Sequence, residues 1–214
     1  MIIPAILEKD IIEIKNKVQM LQDECSLFQI DVADGSLVNG STFLSVKSLD
    51  QIDTDSTFEL DLMVKNPQDY VKQRILSVFK VCTYIKANSN VEEFIKRAKS
   101  LDYITGISVD SLTDISEIEK YISDIDYIQF MGVEPGGQGR PFDKKIINKV
   151  KEVKDLYSFI DIQIDGGVNF DTLLELKKLG IKDFVIGSAI FADTDPINKY
   201  KKFKEFINEQ WFKI

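Results

Sequence analysis

Three stretches of this chain carry residue types suited to holding an anion. The apolar, β-prone run Ile128-Gln129-Phe130-Met131 empties into a loop with Gly136, Gly137, Gln138 and Gly139 set between Pro135 and Pro141. Further on, Ile160 to Asp165 reads as a strand that ends in Gly166-Gly167, and Phe184-Val185-Ile186 ends in Gly187-Ser188. Glycine lacks the Cβ that would keep a ligand off the backbone, so such loops bring N–H groups up to phosphate or carboxylate. One such loop is equally well a plain surface turn. Three in succession, each fed by a strand, imply one shared site. Asp165 adds a carboxyl beside it, in a position that also suits a helix N-cap. The chain contains no histidine. Proton transfer or metal binding therefore falls to carboxylates, amides, Lys, Tyr, Cys or the backbone.

The elements that must position these groups alternate regularly. Short apolar runs predict strands at Ile2–Ile6, Leu27–Asp31, Phe58–Met63, Phe79–Ile85, Tyr103–Val109, Tyr127–Met131, Ile160–Asp165 and Phe184–Ile186. Between them, Ile11-Ile12-Ile14-Val18-Leu21, Val91-Phe94-Ile95-Ala98 and Ile146-Ile147-Val150-Val153 have helical spacing. Leu173 to Leu179 stops at Gly180, while Asn169 and Thr194-Asp195-Pro196 read as helix starts. Eight strands alternating with about eight helices, without a linker, predict a single α/β domain over 1–214, a closed (β/α)8 barrel. A doubly wound open sheet is the alternative, and no G-x-G-x-x-G follows the first strand to support it. In such a barrel the strand C-termini line the site, and phosphate sits after strands 7 and 8, where Gly166, Gly167, Gly187 and Ser188 fall. Phe203, Phe206, Ile207, Trp211 and Phe212 predict a closing helix over the barrel, with an oligomer contact as the other use of that face.

Bulk properties narrow the function. At 214 residues, 44% hydrophobic and 29% charged, the composition is that of a globular protein. A net charge of −8 argues against a nucleic-acid or anionic-membrane surface and leaves any phosphate to local donors. No apolar run reaches membrane-spanning length, and Met1-Ile2-Ile3-Pro4 lacks the basic start of a signal peptide, so a cytoplasmic location is expected. Cys25 and Cys82 have no metal-ligand spacing and are expected to be buried free thiols.

Taken together, Met131-Gly132-Val133-Glu134-Pro135-Gly136 with Gly139 and Phe142, Asp165-Gly166-Gly167-Val168 and Gly187-Ser188-Ala189-Ile190-Phe191 resemble the ribulose-phosphate 3-epimerase family. The likeness continues through Ile3-Pro4-Ala5-Ile6-Leu7, Asp31-Val32-Ala33-Asp34-Gly35 and Leu62-Met63-Val64-Lys65-Asn66-Pro67, and so covers nearly the whole chain. It implies a (β/α)8 barrel of the ribulose-phosphate-binding type and an isomerase of carbohydrate metabolism in the pentose phosphate pathway. Such an enzyme interconverts D-ribulose 5-phosphate and D-xylulose 5-phosphate, or a close ketose phosphate. Asp31 and Asp165 match the family's paired catalytic, metal-binding aspartates. Moving a proton from one face of a carbon to the other needs two acid/bases and a means of holding the enediolate charge.

The likeness breaks at the site itself. Gln29 and Asp61 stand where the family has its two metal-binding histidines, Ala5 where it has a serine, and Ala33 where it has a methionine. Tyr84 and Lys86 occupy positions where a His and a Glu are common. Three outcomes follow. Gln29, Asp31, Asp61 and Asp165 form an all-oxygen metal site, which favours Mg²⁺ or Mn²⁺ over Zn²⁺, with no organic cofactor. Or the site works without metal, with Lys86 or Lys65 offsetting the crowded carboxylates. Or catalysis is lost and a phosphosugar-binding homologue remains. Barrel decarboxylases and aldolases put D-x-K-x-x-D at strand 3, and Asp61-Leu62-Met63-Val64-Lys65-Asn66 lacks that spacing.

Overall fold

The computed structural model describes residues 1–87, 90–133 and 141–209. Eight parallel strands close into a barrel in chain order: β1 (Ile2–Ile6), β2 (Leu27–Ala33), β3 (Thr57–Met63), β4 (Val78–Tyr84), β5 (Ile104–Val109), β6 (Tyr127–Met131), β7 (Asp161–Asp165) and β8 (Asp183–Ile186). β8 pairs back onto β1 through Ile3 and Val185, which closes the ring. Strands buried on both faces read as near-continuous apolar runs, and here every residue of β1, β2 and β6 is buried. This is why the sequence located all eight strands to within two residues.

The register sets the site. Asp31 lies opposite Asp61, Gln29 opposite Glu59, Gln129 opposite Gln163 and Met131 opposite Asp165. Because side chains alternate across a strand, Gln29 and Asp31 both point inward, as do Glu59 with Asp61 and Gln163 with Asp165. Polar residues at these positions are buried.

The apolar layer outside the barrel is held by helices. In α1 (Ile11–Leu21), Asp10 caps the first turn through the Ile12 amide, and Ile14, Val18 and Leu21 are buried. α2 (Val91–Ser100) buries Val91, Phe94, Ile95 and Ala98 against the barrel. α3 (Ile115–Glu119) is a single short piece. α4 (Lys145–Leu156) buries the four residues of its spacing, Ile146, Ile147, Val150 and Val153. In α5 (Phe170–Lys178), Asn169 accepts from the amides of Asp171 and Thr172, and Gly180 just beyond takes φ +73°. α6 (Ser188–Phe191) and α7 (Pro196–Glu209) complete the chain, with Phe203 and Ile207 of α7 buried. Each fully buried apolar side chain contributes about 1.5–3 kcal/mol relative to exposure. Trp211 and Phe212 fall outside the described residues.

The expected helices after β2 and β3 are absent among the described residues. Short 3₁₀ helices, Val46–Gln51 and Pro67–Asp69, take their place. The segment after β2 is rich in Gly, Ser, Thr and Asp, which compete with helical backbone bonds. After β3 only residues 64–77 are left before β4, and the 3₁₀ helix there opens on Pro67.

Candidate active site

Asp165 ends the inward row of β7, while Asp31 in β2 and Asp61 in β3 each lie one inward position before the strand end, below Ala33 and Met63. One carboxylate oxygen of each lies within 4.8 Å of the others, and all three residues are buried. Gln29 bridges two of them. Its Nε2 donates to Asp31 Oδ1 at 2.7 Å and to Asp165 Oδ2 at 2.8 Å. Gln129 Nε2 donates to Asp61 Oδ2 at 3.0 Å and, more weakly, to Asp165 Oδ2 at 3.4 Å. Cys82 and Ser108 complete the surroundings of Asp61 Oδ1.

Among the described residues none of the three aspartates forms an ion pair. Burial, then the charge of the neighbouring aspartate, decides their protonation. Asp31 is pushed up to about 8 by burial and by Asp61. Asp61 is pushed up to about 7 by burial and by Asp165, and burial with Asp31 holds Asp165 well above the usual carboxylate range. Such a cluster keeps protons at neutral pH unless a cation replaces them. Three carboxylates this close could hold a metal ion, and hard oxygen donors suit a hard divalent ion.

The loops after β6 and β7 close on each other beside this cluster. Gly132 N–H donates to the Asp165 carbonyl at 2.6 Å, and the Asp143 N–H returns to Gly132 at 2.7 Å. Gly166 has φ +93°, and a Cβ there would stand 2.5 Å from Val133 Cγ2. Gly167, at φ +67°, lies similarly close to Phe142. Gly187 and Ser188 start α6 after the neighbouring β8, so their amides have no acceptor within that helix. Gly136, Gly137, Gln138 and Gly139 lie outside the described residues.

The whole of 1–191 matches the model of the Ribulose-phosphate 3 epimerase family. The chain belongs to that family. Ribulose-phosphate 3-epimerase of Schizosaccharomyces pombe is 27% identical over 203 residues, covering 91% of this chain and 88% of the relative. That of Bacillus subtilis is 28% identical over 206 residues, covering 90% and 92%. Solved structures confirm the fold alone. 3-Hexulose-6-phosphate synthase from Salmonella typhimurium superposes with a TM-score of 0.74 at 15% identity, covering 97% of this chain and 98% of that one. KGPDC from Streptococcus mutans gives 0.73 at 14%, covering 98% of each.

Two expectations for this epimerase-family site are corrected by the geometry. Gln29 was expected to offer Oε1 to a metal, but that oxygen faces Gln163 Nε2 at 3.3 Å, and the nitrogen faces the aspartates. As placed, Gln29 is a donor to the cluster. Lys86 was expected as the charge partner of the aspartates. Its ammonium instead pairs with Asp110, at 2.9 and 2.7 Å, beside the Tyr84 hydroxyl. The physical reason is reach. Lys86 lies beyond the C-terminal end of β4, and Asp110 directly follows the neighbouring β5. Sequence reasoning missed Gln129, Gln163, Glu59 and Lys80, which form the layer beneath the aspartates. The signal was present as polar residues at inward positions of otherwise apolar strands.

Proposed function

We propose that this protein is a ribulose-phosphate 3-epimerase acting on D-ribulose 5-phosphate, D-xylulose 5-phosphate or a close ketose phosphate. The observation that carries the reading is that Asp31 and Asp165, donated by β2 and β7, converge on the single Gln29 amide at 2.7 and 2.8 Å. One ionised aspartate takes the proton from C3, and the electron pair moves through C2 onto the ketone oxygen to give an enediolate. The other aspartate, protonated, returns a proton to the opposite face of C3, and the enediolate collapses to the epimeric ketone. Two carboxyls with raised proton affinity, held on one amide, supply one acid and one base at the same pH, as coupled dyads do.

Asp31, Asp61 and Asp165 would hold a divalent ion, with Mg²⁺ or Mn²⁺ favoured over Zn²⁺ because the donors are all carboxylate oxygens. Such an ion supplies Lewis-acid stabilisation to an enediolate oxygen. The amides of Gly166, Gly167, Gly187 and Ser188 hold the phosphate, and the substrate's anionic end is thereby fixed by backbone rather than by the protein's negative overall field.

Incubation with D-ribulose 5-phosphate in D₂O, with Mg²⁺, Mn²⁺ or Zn²⁺ in turn, is expected to place deuterium at C3. The replaced histidine positions, Gln29 and Asp61, support a second reading as a phosphosugar-binding homologue that does not turn over. Thermal stabilisation by the ketose phosphate without exchange under any metal would establish that reading and remove the first.

A further inference from the structure

We infer that Lys80 is a positioning residue: by fixing which way Gln163 faces, it makes Gln129 and Gln29 present N–H groups to Asp61, Asp31 and Asp165. Lys80 is buried at the floor of the barrel, one layer below the aspartates. Its Nζ sits 2.7 Å from Gln163 Oε1, 3.2 Å from Glu59 Oε2 and 4.0 Å from the centre of the Tyr127 ring. An ammonium has donors only. Gln163 must therefore turn its oxygen toward Lys80, and its nitrogen goes the other way, to Gln129 Oε1 at 2.7 Å, Glu59 Oε1 at 2.9 Å and Gln29 Oε1 at 3.3 Å.

Once those two oxygens are engaged, the nitrogens of Gln129 and Gln29 have one direction left, toward the carboxylates. A donor-only group at one end and acceptor groups at the other leave the three amides a single consistent order. Turning Gln163 over would set its NH₂ against the ammonium and its oxygen against Gln129 Oε1 and Glu59. Turning Gln29 over would set its NH₂ against the NH₂ of Gln163. Tyr127 fixes the remaining corner by donating to Glu59 Oε1 at 2.6 Å. Lys80 touches none of the three aspartates, so it acts only through the amides. The amides do the work of neutral donors that hold two carboxylates together, and this array also explains why Gln29 offers nitrogen rather than oxygen.

The kinetic part of the test rests on the epimerase reading, and the spectroscopic part does not. In chelator-treated, ¹⁵N-glutamine-labelled protein without substrate, the side-chain NH₂ pairs of Gln29 and Gln129, assigned with Gln29→Met and Gln129→Met, are expected to be shifted and slow to exchange. Gln163→Met breaks the relay but keeps the Lys80–Glu59 pair. Glu59→Leu with Lys80→Met removes the cation together with its counter-ion, so no lone charge stays buried. Both are expected to abolish the two protected signals and to lower kcat about tenfold or more, with KM for D-ribulose 5-phosphate within twofold. A folded Glu59→Leu/Lys80→Met protein with both signals unchanged, or a loss confined to KM, overturns the inference. Should that double variant not fold, the wild-type protein still decides. A through-hydrogen-bond coupling from Lys80 Nζ to the Gln163 carboxamide carbon is expected, and its absence from a resolved Nζ signal overturns the inference. A wild-type protein with the ordered amides but no turnover removes the epimerase reading and leaves the relay standing.

Discussion

Replacing Asp61 by Asn tests the electrostatics of the site most directly. Asp61 is wholly buried between two other carboxyls, and its pKa near 7 compares with an ordinary value of 3.8. The folded state therefore holds a proton on this group where the unfolded chain has lost it. Stability conferred by that proton is complete below the unfolded value and falls as pH rises through the folded one. For Asp61 alone the fall approaches ~4 kcal/mol on the alkaline side of both values, at 1.36 kcal/mol for each tenfold change in proton affinity. Asp31, near 8, and Asp165 add to the same trend. Urea unfolding followed by circular dichroism in chelator, from pH 5 to 8.5, is expected to show metal-free wild-type stability falling as pH rises. Asp61→Asn keeps the Gln129 contact through its oxygen, carries no charge, and relieves Asp31 of its largest neighbouring repulsion. Its profile is expected to be shallower, and the variant more stable than wild type by a few kcal/mol at pH 8. Added Mn²⁺ should reverse that order, raising the midpoint of wild type but not of Asp61→Asn. A wild-type profile that is flat or rises toward pH 8 would refute the reasoning, as would an equal Mn²⁺ response in both proteins.

Asp31→Asn and Asp165→Asn are each expected to reduce C3 deuterium exchange by about 10²–10⁴-fold, while melting-temperature shifts by the ketose phosphate persist. Gly166→Ala forces a side chain into φ +93° against Val133, which should cost about 1–3 kcal/mol in urea unfolding and raise KM through the phosphate loop. Lys86→Ala removes a partly exposed pair with Asp110, so a stability loss of no more than about 1 kcal/mol is expected, with exchange at C3 unchanged. Binding of Mn²⁺ at pH 7 should release at least one proton from the cluster, read by calorimetry in buffers of different ionisation enthalpy; no release would remove the three-aspartate metal site.

Much of the architecture was legible because a fully parallel barrel writes each strand as an apolar run. The Asn169 and Gly180 signals bounded α5, and the Val91 and Ile146 spacings located α2 and α4, since one face of each helix repeats along the barrel. The missing helices after β2 and β3 were not legible, because a barrel position predicts a helix whether or not the local residues favour one. At the site, Asp165 was recoverable from a strand end next to glycine, and Asp31 from the resemblance of Asp31-Val32-Ala33-Asp34-Gly35 to the family. The pairing of Lys86 with Asp110 was not, because it depends on how two adjacent loops rise above the barrel. The glutamine layer was hidden for a different reason. Gln129 is a lone amide inside an apolar strand and Gln163 sits between two aspartates on β7, and only closure of the ring shows that the two amides meet.

The same layer explains how a site without histidine remains coherent. Imidazole supplies a neutral ligand and a donor from one side chain. Here those duties are split. Asp61 contributes a third carboxylate, and Gln29 and Gln129 contribute the neutral N–H groups. Among the described residues, the inward faces of the strands then hold Asp31, Asp61, Asp165 and Glu59 against Lys80, an excess that burial does not tolerate uncompensated. The charge of Glu59 is paired locally with Lys80, and its Oε1 accepts from Tyr127 and Gln163, so the remaining imbalance falls on the three aspartates. A divalent ion with one retained proton balances them, and that state contains one aspartic acid beside aspartate, the pairing a two-faced proton transfer requires. Protons alone can also balance them, but each one retained removes a carboxylate able to act as base. On the proposed epimerase reading, an all-carboxylate site is therefore expected to need the cation, and chelator is expected to suppress exchange at C3.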